Sequence, residues 1–445
     1  MKRIALITFV LLQINLFAQE TSNNYSFSLE EAINYALENN YTAKNAAKDI
    51  EAAKKKKWET TTIGLPQING NINYQNNLVI QKSVVPAEFF GGNPGEFREV
   101  EFGVKHNMVA NATLSQLIFD GSYLVGLQSA KVYLQISENA KEKTDLQVRE
   151  IVINSYGNVL LARESIAILE KNKSSLEKVY KETEEVYKNG LTEEENVEQL
   201  QITLSQIKSA LSNAQKGEKI ALDMLKLVLG IDIKENVILT DDLDKLASEN
   251  ISLTTDLDFS VTNTIDYKIG QNNEKASQLL LKLEKSKALP SLSANFNFGY
   301  NAFNNSFSFL NNDQQWFNFS NIGVGLNIPI FSSLGRTSRT QQAKIAYEQA
   351  KINLKETEQK LLLEFEKSKT DYEFSIEQYA ISKENLRLAE RIEYKQQVKF
   401  KEGLSSSFEY TEAQRQLYAA QQEHLQAMID IINKKASLDK IINQK

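Results

Sequence analysis

The 445-residue sequence has no cysteine, two histidines and five prolines. Without cysteine there can be no disulfide, thiolate metal site, cysteine nucleophile or lipid-bearing cysteine. His106 and His424 lie far apart in sequence, with no second histidine beside either, so they read as ordinary polar residues rather than zinc ligands. No phosphate-cradling G-x-x-x-x-G-K-[ST] loop occurs. Carboxylates are plentiful, but nothing selects one pair as general acid and base. No enzyme is expected, and no catalytic residue, cofactor or metal ligand.

Long apolar runs are scarce too. The run from Ile4 to Phe17 follows Lys2 and Arg3 and precedes Ala18, which is the pattern of a secretory signal peptide over residues 1–18. A membrane-spanning helix needs about 20 apolar residues, and this run is shorter and broken by Gln13 and Asn15. No later run is long enough either. The mature chain is therefore soluble, or it spans a membrane as strands. Removing Lys2 and Arg3 from 51 basic side chains leaves 49 against 57 acidic ones, a net charge of −8. Such a surface disfavours a nucleic-acid partner.

Pro66, Pro86, Pro94, Pro290 and Pro329 leave residues 95–289 and 330–445 free of a helix breaker. Within those stretches apolar residues recur in steps of seven, as at Leu146, Ile153, Leu160 and Ala167, and at Phe365, Tyr372, Tyr379 and Leu386. That spacing marks coiled-coil packing. It predicts helices over 122–189 and 336–402, each roughly 100 Å long at about 1.5 Å per residue. Return helices are expected over 192–228 and 405–442. Between them stand YKNGL and FKEGL, with Gly190 and Gly403 able to take the left-handed conformation that ends a helix. Each marks the tip of a helical hairpin, and the plan is written twice. Ser28 and Glu31 have capping-box spacing for a first helix.

The doubling extends to strands. LPQINGNINY (65–74) parallels LPSLSANFNFGY (289–300), and LSQLIFDG (114–121) parallels LNIPIFSS (326–333). Leu292, Ala294, Phe296, Phe298 and Tyr300 alternate with small polar residues. Such alternation describes a soluble sheet with one wet face. It equally describes strands of about 10 residues that cross a bilayer around a watery lumen. Four strands cannot close a barrel, so several copies would have to contribute. Segments 75–103 and 301–320, with Phe89, Phe90, Trp316 and Phe317, read as exposed loops that either carry interface anchors or belong to a soluble domain. The run Lys54 to Lys57 reads first as a solvated helix face.

Taken in order, SLEEAINYALENN (28–40), the strand entries at Pro66 and Pro290, GLNIPIFSSLGR (325–336) and FKEGLSSSFEYTEAQRQL (400–417) resemble the TolC-type outer membrane efflux family over nearly the whole mature chain. Tyr41 departs from the family's frequent proline. The resemblance implies an α+β membrane protein in which long helical hairpins form a periplasmic tunnel. As a homotrimer it would give four strands per protomer to a shared twelve-stranded barrel in outer membrane lipid. It further implies a periplasmic adaptor and an inner membrane transporter of the RND, ABC or MFS type, with this chain as the passive exit duct of an efflux or type I secretion system. The expected organisation is a first repeat over 19–229, a connecting belt segment over 230–262 and a second repeat over 263–445.

By the same resemblance, Glu409 and Glu412 match acidic rings at the tunnel entrance. Ordinary solvated glutamates are the plainer reading of both. Phe400, Ser405 and Asn196 match an aromatic–arginine–acid lock, but here the hydroxyl, the arginine and the acid are all missing. Glu193, Glu194 and Glu195 add negative charge at the first tip, whose repulsion would favour opening. Gly190, Leu191, Gly403 and Leu404 match the adaptor-docking tips. Each leucine could instead cover its own helix end. The competing reading from another class is a periplasmic or surface coiled-coil scaffold with no pore.

Overall fold

The computed structural model describes residues 24–251 and 259–443; the expected signal peptide and part of the connecting segment lie outside them. In chain order the elements are β1 (Asn24–Phe27), α1 (Leu29–Asn39), α2 (Tyr41–Thr62), β2 (Gln67–Asn76), β3 (Lys82–Pro86), β4 (Phe97–Glu101), β5 (His106–Asp120), α3 (Gly121–Lys188), α4 (Glu194–Leu229), β6 (Asn236–Leu239), α5 (Leu243–Glu249), α6 (Ile265–Ser286), β7 (Ser291–Asn304), β8 (Phe317–Asn327), α7 (Gly335–Lys401) and α8 (Ser407–Ile441). The chain divides into two compact units, one of strands (51–136 and 271–353) and one of helices (the rest). The first holds the four-stranded sheet with the adjoining ends of α2, α3, α6 and α7, and the second holds the remaining helices with β1 and β6, so each sequence repeat contributes to both.

In the helical unit, α1 starts at a complete capping box. Glu31 accepts from the Ser28 amide at 2.8 Å, and Ser28 Oγ accepts from the Glu31 amide. A buried core gathers Ile33, Val152, Tyr156, Leu225, Leu229, Leu425 and Ile429. Tyr156 is fully buried and donates to the Phe27 carbonyl at 2.9 Å and to Asp241 at 3.0 Å, while Asp241 also accepts from the Leu29 amide. Burial, then the Asp241 charge, pushes the Tyr156 hydroxyl far above its ordinary range. The hydroxyl is a fixed donor that ties β1 to α3.

The heptad seam holds at Leu146, Leu160, Phe365, Tyr372 and Tyr379, all buried. At Ala167 it fails, because that residue is exposed and the seam passes to Leu169 and Leu176. A straight helix drifts about 20° per heptad, so a strict seven-step pattern leaves the buried face within a few turns.

In the strand unit, β2, β5, β7 and β8 form one antiparallel sheet in that order. The register lines up Ile68, Leu114, Phe296 and Ile322 as one row across all four strands. The next row is Asn69, Thr113, Asn297 and Asn321, joined by Thr113–Asn297 and Asn297–Asn321 hydrogen bonds of 2.6 and 2.9 Å. Apolar and amide rows therefore occupy opposite faces, as the alternation predicts. Ile68, Ile72, Ile322, Val324 and Leu326 are 60 to 79% exposed, which is an unfavourable face to leave in water.

Two strand pairs were not expected. The segment read as loop from 75 to 103 contains the β3–β4 pair, held by β-branched Val84 and Val85 opposite Glu99 and Arg98 and by a Lys82–Glu99 ion pair at 3.1 Å. The parallel β1–β6 pair uses only four residues on each side, too few for alternation to register in sequence.

Candidate functional site

Both hairpin tips are built the same way. After α3, the Gly190 amide donates to the Tyr187 carbonyl at 2.7 Å and the Leu191 amide to Val186 at 3.1 Å. After α7, Gly403 donates to Phe400 at 3.1 Å and Leu404 to Lys399 at 2.8 Å. Gly190 and Gly403 have φ of 73° and 71°, where a side chain would be strained. In this helix-ending motif the residue after the glycine usually folds back over its own helix. Here Leu191 and Leu404 are 78% and 76% exposed.

Just behind the tips, the two hairpins are joined. Asn196 Oδ1 accepts from the Ser407 amide at 3.3 Å, while its Nδ2 donates to Thr192 Oγ1 at 2.9 Å. Ser407 opens α8, so its amide has no partner within its own helix. An amide side chain at 196 supplies one without introducing charge. Lys401 pairs with Glu182 at 3.1 Å across the same seam. Phe400 stacks on Tyr410, with centroids 5.5 Å apart and planes 8° from parallel. Tyr410 itself is fully buried against Leu176, Val179, Leu200 and Leu204 of the first hairpin. Ser405 joins neither contact, and its buried Oγ has no hydrogen-bond partner.

The acidic candidates have local partners. Glu409 completes a capping box with Ser406, accepting from its amide at 2.9 Å. Glu412 forms a two-point pair with Arg415 at 2.8 and 3.0 Å, and the Arg415 hydrogen bonds hold its carboxyl below the usual range. Glu194 and Glu195 lie in the first turn of α4, where the helix dipole favours negative charge, and Glu193 caps that helix without a side-chain bond.

Sequence reasoning missed the groups that carry most of the joint: Tyr410, Ser407, Gln414 and Glu393. Gln414 donates to Tyr410 Oη at 3.0 Å and to Glu393. Burial is the main reason Glu393 sits above its ordinary carboxyl value of 4.5. Burial, then the Glu393 charge, pushes the Tyr410 hydroxyl up to about 12. The raised Glu393 value sets a sign. The folded tip binds this proton more tightly than the unfolded chain, so the associated stability is full below 4.5 and is lost as pH rises through the folded value. Amide-exchange protection around Tyr410 should therefore increase on acidification from neutral pH, and Glu393→Gln should flatten that dependence relative to the native chain. An unchanged slope in Glu393→Gln would assign the effect to other carboxyls. The histidines are occupied locally: His106 Nδ1 meets Tyr74 Oη at 2.8 Å, and His424 Nδ1 meets Ser382 Oγ at 3.1 Å while the ring stacks on Tyr379.

Two glycine-tipped helical hairpins and four strands with one apolar face are the parts of a channel-forming outer membrane protein. The family model for outer membrane efflux proteins matches residues 32–231 and 270–444, and the chain belongs to that family. Over 331 residues it is 21% identical to outer membrane protein TolC of Vibrio cholerae, covering 74% of this chain and 70% of that one. Its fold matches CusC with a TM-score of 0.75 at 19% identity, over 93% of this chain and 91% of CusC. It also matches the outer membrane channel MtrE of Neisseria gonorrhoeae with a TM-score of 0.71 at 16% identity, over 93% and 88% of the two chains. The protein is thus an outer membrane channel component with a periplasmic extension, and its family is not enzymatic.

Proposed function

We propose that this chain is the exit duct of a tripartite efflux or type I secretion system. It passively conducts substrates that an inner membrane transporter of the RND, ABC or MFS type delivers through a periplasmic adaptor. The observation that carries the reading is the four-stranded sheet, which has an exposed apolar face and no partner for the outer edges of β2 and β8 among the described residues. Unpaired strand edges are not tolerated in hydrocarbon. Edge β2 of one protomer pairs with edge β8 of the next, and twelve strands close the barrel. The test is native mass spectrometry of the protein extracted from its outer membrane, followed by conductance in planar bilayers. A detergent-dependent trimer that conducts supports the duct; a species that stays in solution without detergent, with no conductance, replaces it with a coiled-coil scaffold.

Within this reading the tips face the periplasm, and Gly190-Leu191 and Gly403-Leu404 dock the adaptor. Two leucines more than three-quarters exposed give that contact its apolar points. Asn196, Phe400 and Ser405 lie where the entrance narrows, and Glu409 and Glu412 bring negative charge there that raises the local concentration of cations. Leu191→Asp combined with Leu404→Asp should cut adaptor cross-linking by at least tenfold while leaving the trimer intact. Undiminished cross-linking would remove the leucines from the interface.

A further inference from the structure

The apolar stripe of β8 does not stop where the strand stops. Ile322, Val324 and Leu326 occupy alternate positions on the exposed face, and Ile330, Phe331 and Leu334 continue the apolar exposure at 89, 82 and 71%. This is the turn that feeds α7, and it is backbone-strained: Ser333 and Leu334 have φ of 47° and 64° without being glycine. Strain of this kind persists where the surroundings favour it. An exposed leucine held outward in such a turn gains nothing from water.

Immediately beyond the apolar residues the chemistry changes. A cavity of about 450 Å³ is lined by apolar Ile330, Phe331 and Leu334 together with Glu284, Lys285 and Arg336. Arg336 is fixed in place, donating from Nη1 to the Pro329 carbonyl at 2.9 Å and from Nε to Ser332 Oγ at 3.2 Å. Both acceptors are neutral. The acid at the cavity, Glu284, is already shared between Lys287 and Arg339. Lys285 and Arg336 have no acidic partner among the described residues, so the cavity carries an uncompensated positive charge beside an apolar wall.

We propose that this cavity is a phospholipid site, taking the phosphodiester of an inner-leaflet lipid of the outer membrane while its acyl chains lie along Ile330, Phe331 and Leu334. The proposal rests on the strands of this chain crossing that membrane. Continuity selects a lipid over free phosphate, because the apolar stripe and the cationic groups meet in one cavity, as hydrocarbon and headgroup meet at a bilayer surface. Arg336 and Lys285 reach the phosphate, and the Thr337 hydroxyl adds a donor, while that of Thr340 is already given to the Arg336 carbonyl at 3.0 Å. A bound lipid would hold this end of the strands at a fixed depth.

The experiment is native mass spectrometry of the detergent-extracted trimer titrated with dioleoylphosphatidylglycerol. Arg336 also ties the turn, so Lys285→Gln is made beside Arg336→Gln, with Lys344→Gln further along α7 as control. Each cationic group near a membrane surface contributes about a fivefold factor in lipid retention. Lys285→Gln and Arg336→Gln are each expected to lower retained lipid by about that factor, with Lys344→Gln unchanged. Equal retention in Lys285→Gln and the native trimer would overturn the site. So would displacement of the lipid by millimolar inorganic phosphate, since the site would then read phosphate alone. A protein that needs no detergent would instead overturn the membrane placement of the strands, a separate failure.

Discussion

Gly230→Ala is expected to destabilise the helical unit by about 2–5 kcal/mol, whereas Gly217→Ala, thirteen residues earlier in the same helix, should stabilise it slightly. Gly230 ends α4 with φ of 76°, donating to the Leu227 carbonyl at 3.1 Å while Ile231 donates to Lys226 at 2.9 Å. A Cβ there would stand 2.3 Å from the Asn39 carbonyl oxygen and 2.8 Å from its carbon. Left-handed backbone costs an ordinary residue about 1–2 kcal/mol, and displacing a packed backbone adds about 1–3 kcal/mol. The neighbouring turn cannot move freely, because Asn40 donates to the Val228 carbonyl at 2.7 Å while its Oδ1 accepts from the amides of Thr42 and Ala43. Gly217 has no atom within 4 Å of its added Cβ and lies mid-helix, where alanine is better by about 0.5–1 kcal/mol. Thermal midpoints of the two variants in detergent give the comparison. If they move in the same direction, the contact between Gly230 and the α1–α2 turn is not rigid.

The long helices were legible because their determinants are local. Glycine after a proline-free heptad run sets the end, and the expected 122–189 and 336–402 fall within a residue of the observed Gly121–Lys188 and Gly335–Lys401. Alternation made the four sheet strands legible for the same reason. It could not reveal β1–β6, whose partners lie more than two hundred residues apart, nor that Ala167 would turn away from the seam.

At the tips, the positions of Asn196 and Phe400 could be matched, but their partners could not. Ser407 and Tyr410 matter because α8 packs against the first hairpin, and no spacing within either hairpin encodes that meeting. Glu409 and Glu412 looked free in sequence although Ser406 and Arg415, three residues away in each case, were in plain view as partners. The charge-paired lock for which Phe400, Ser405 and Asn196 lack the groups has in its place amide, aromatic and carboxyl groups packed around the buried Tyr410. Glu393 is partly buried and sits above its ordinary carboxyl value, so the joint should respond to proton concentration, while the exposed Lys401–Glu182 pair should respond to salt.

The second large effect is expected at Tyr410. Tyr410→Ala removes a fully buried ring from contact with Phe400, Leu176, Val179, Leu200 and Leu204, and such truncations cost about 3–5 kcal/mol. The loss falls on the seam between the hairpins, leaving Asn196–Ser407 and Lys401–Glu182 nearest the tips, with Gln397–Ser175 and Asn172–Gln421 further back. One hydrogen bond of 3.3 Å and one exposed ion pair contribute about 1 kcal/mol each at most. The tips should therefore separate in Tyr410→Ala, seen as lost amide-exchange protection in residues 176–204 and, in planar bilayers, as a channel open far more of the time. Tyr410→Phe keeps the ring and gives up only the hydroxyl that Gln414 and Glu393 engage. It should cost about 1 kcal/mol and leave the closed state dominant. If Tyr410→Ala conducts like the native protein while its exchange protection is lost, the seam holds the hairpins together without controlling the opening, and the constriction lies elsewhere along the duct.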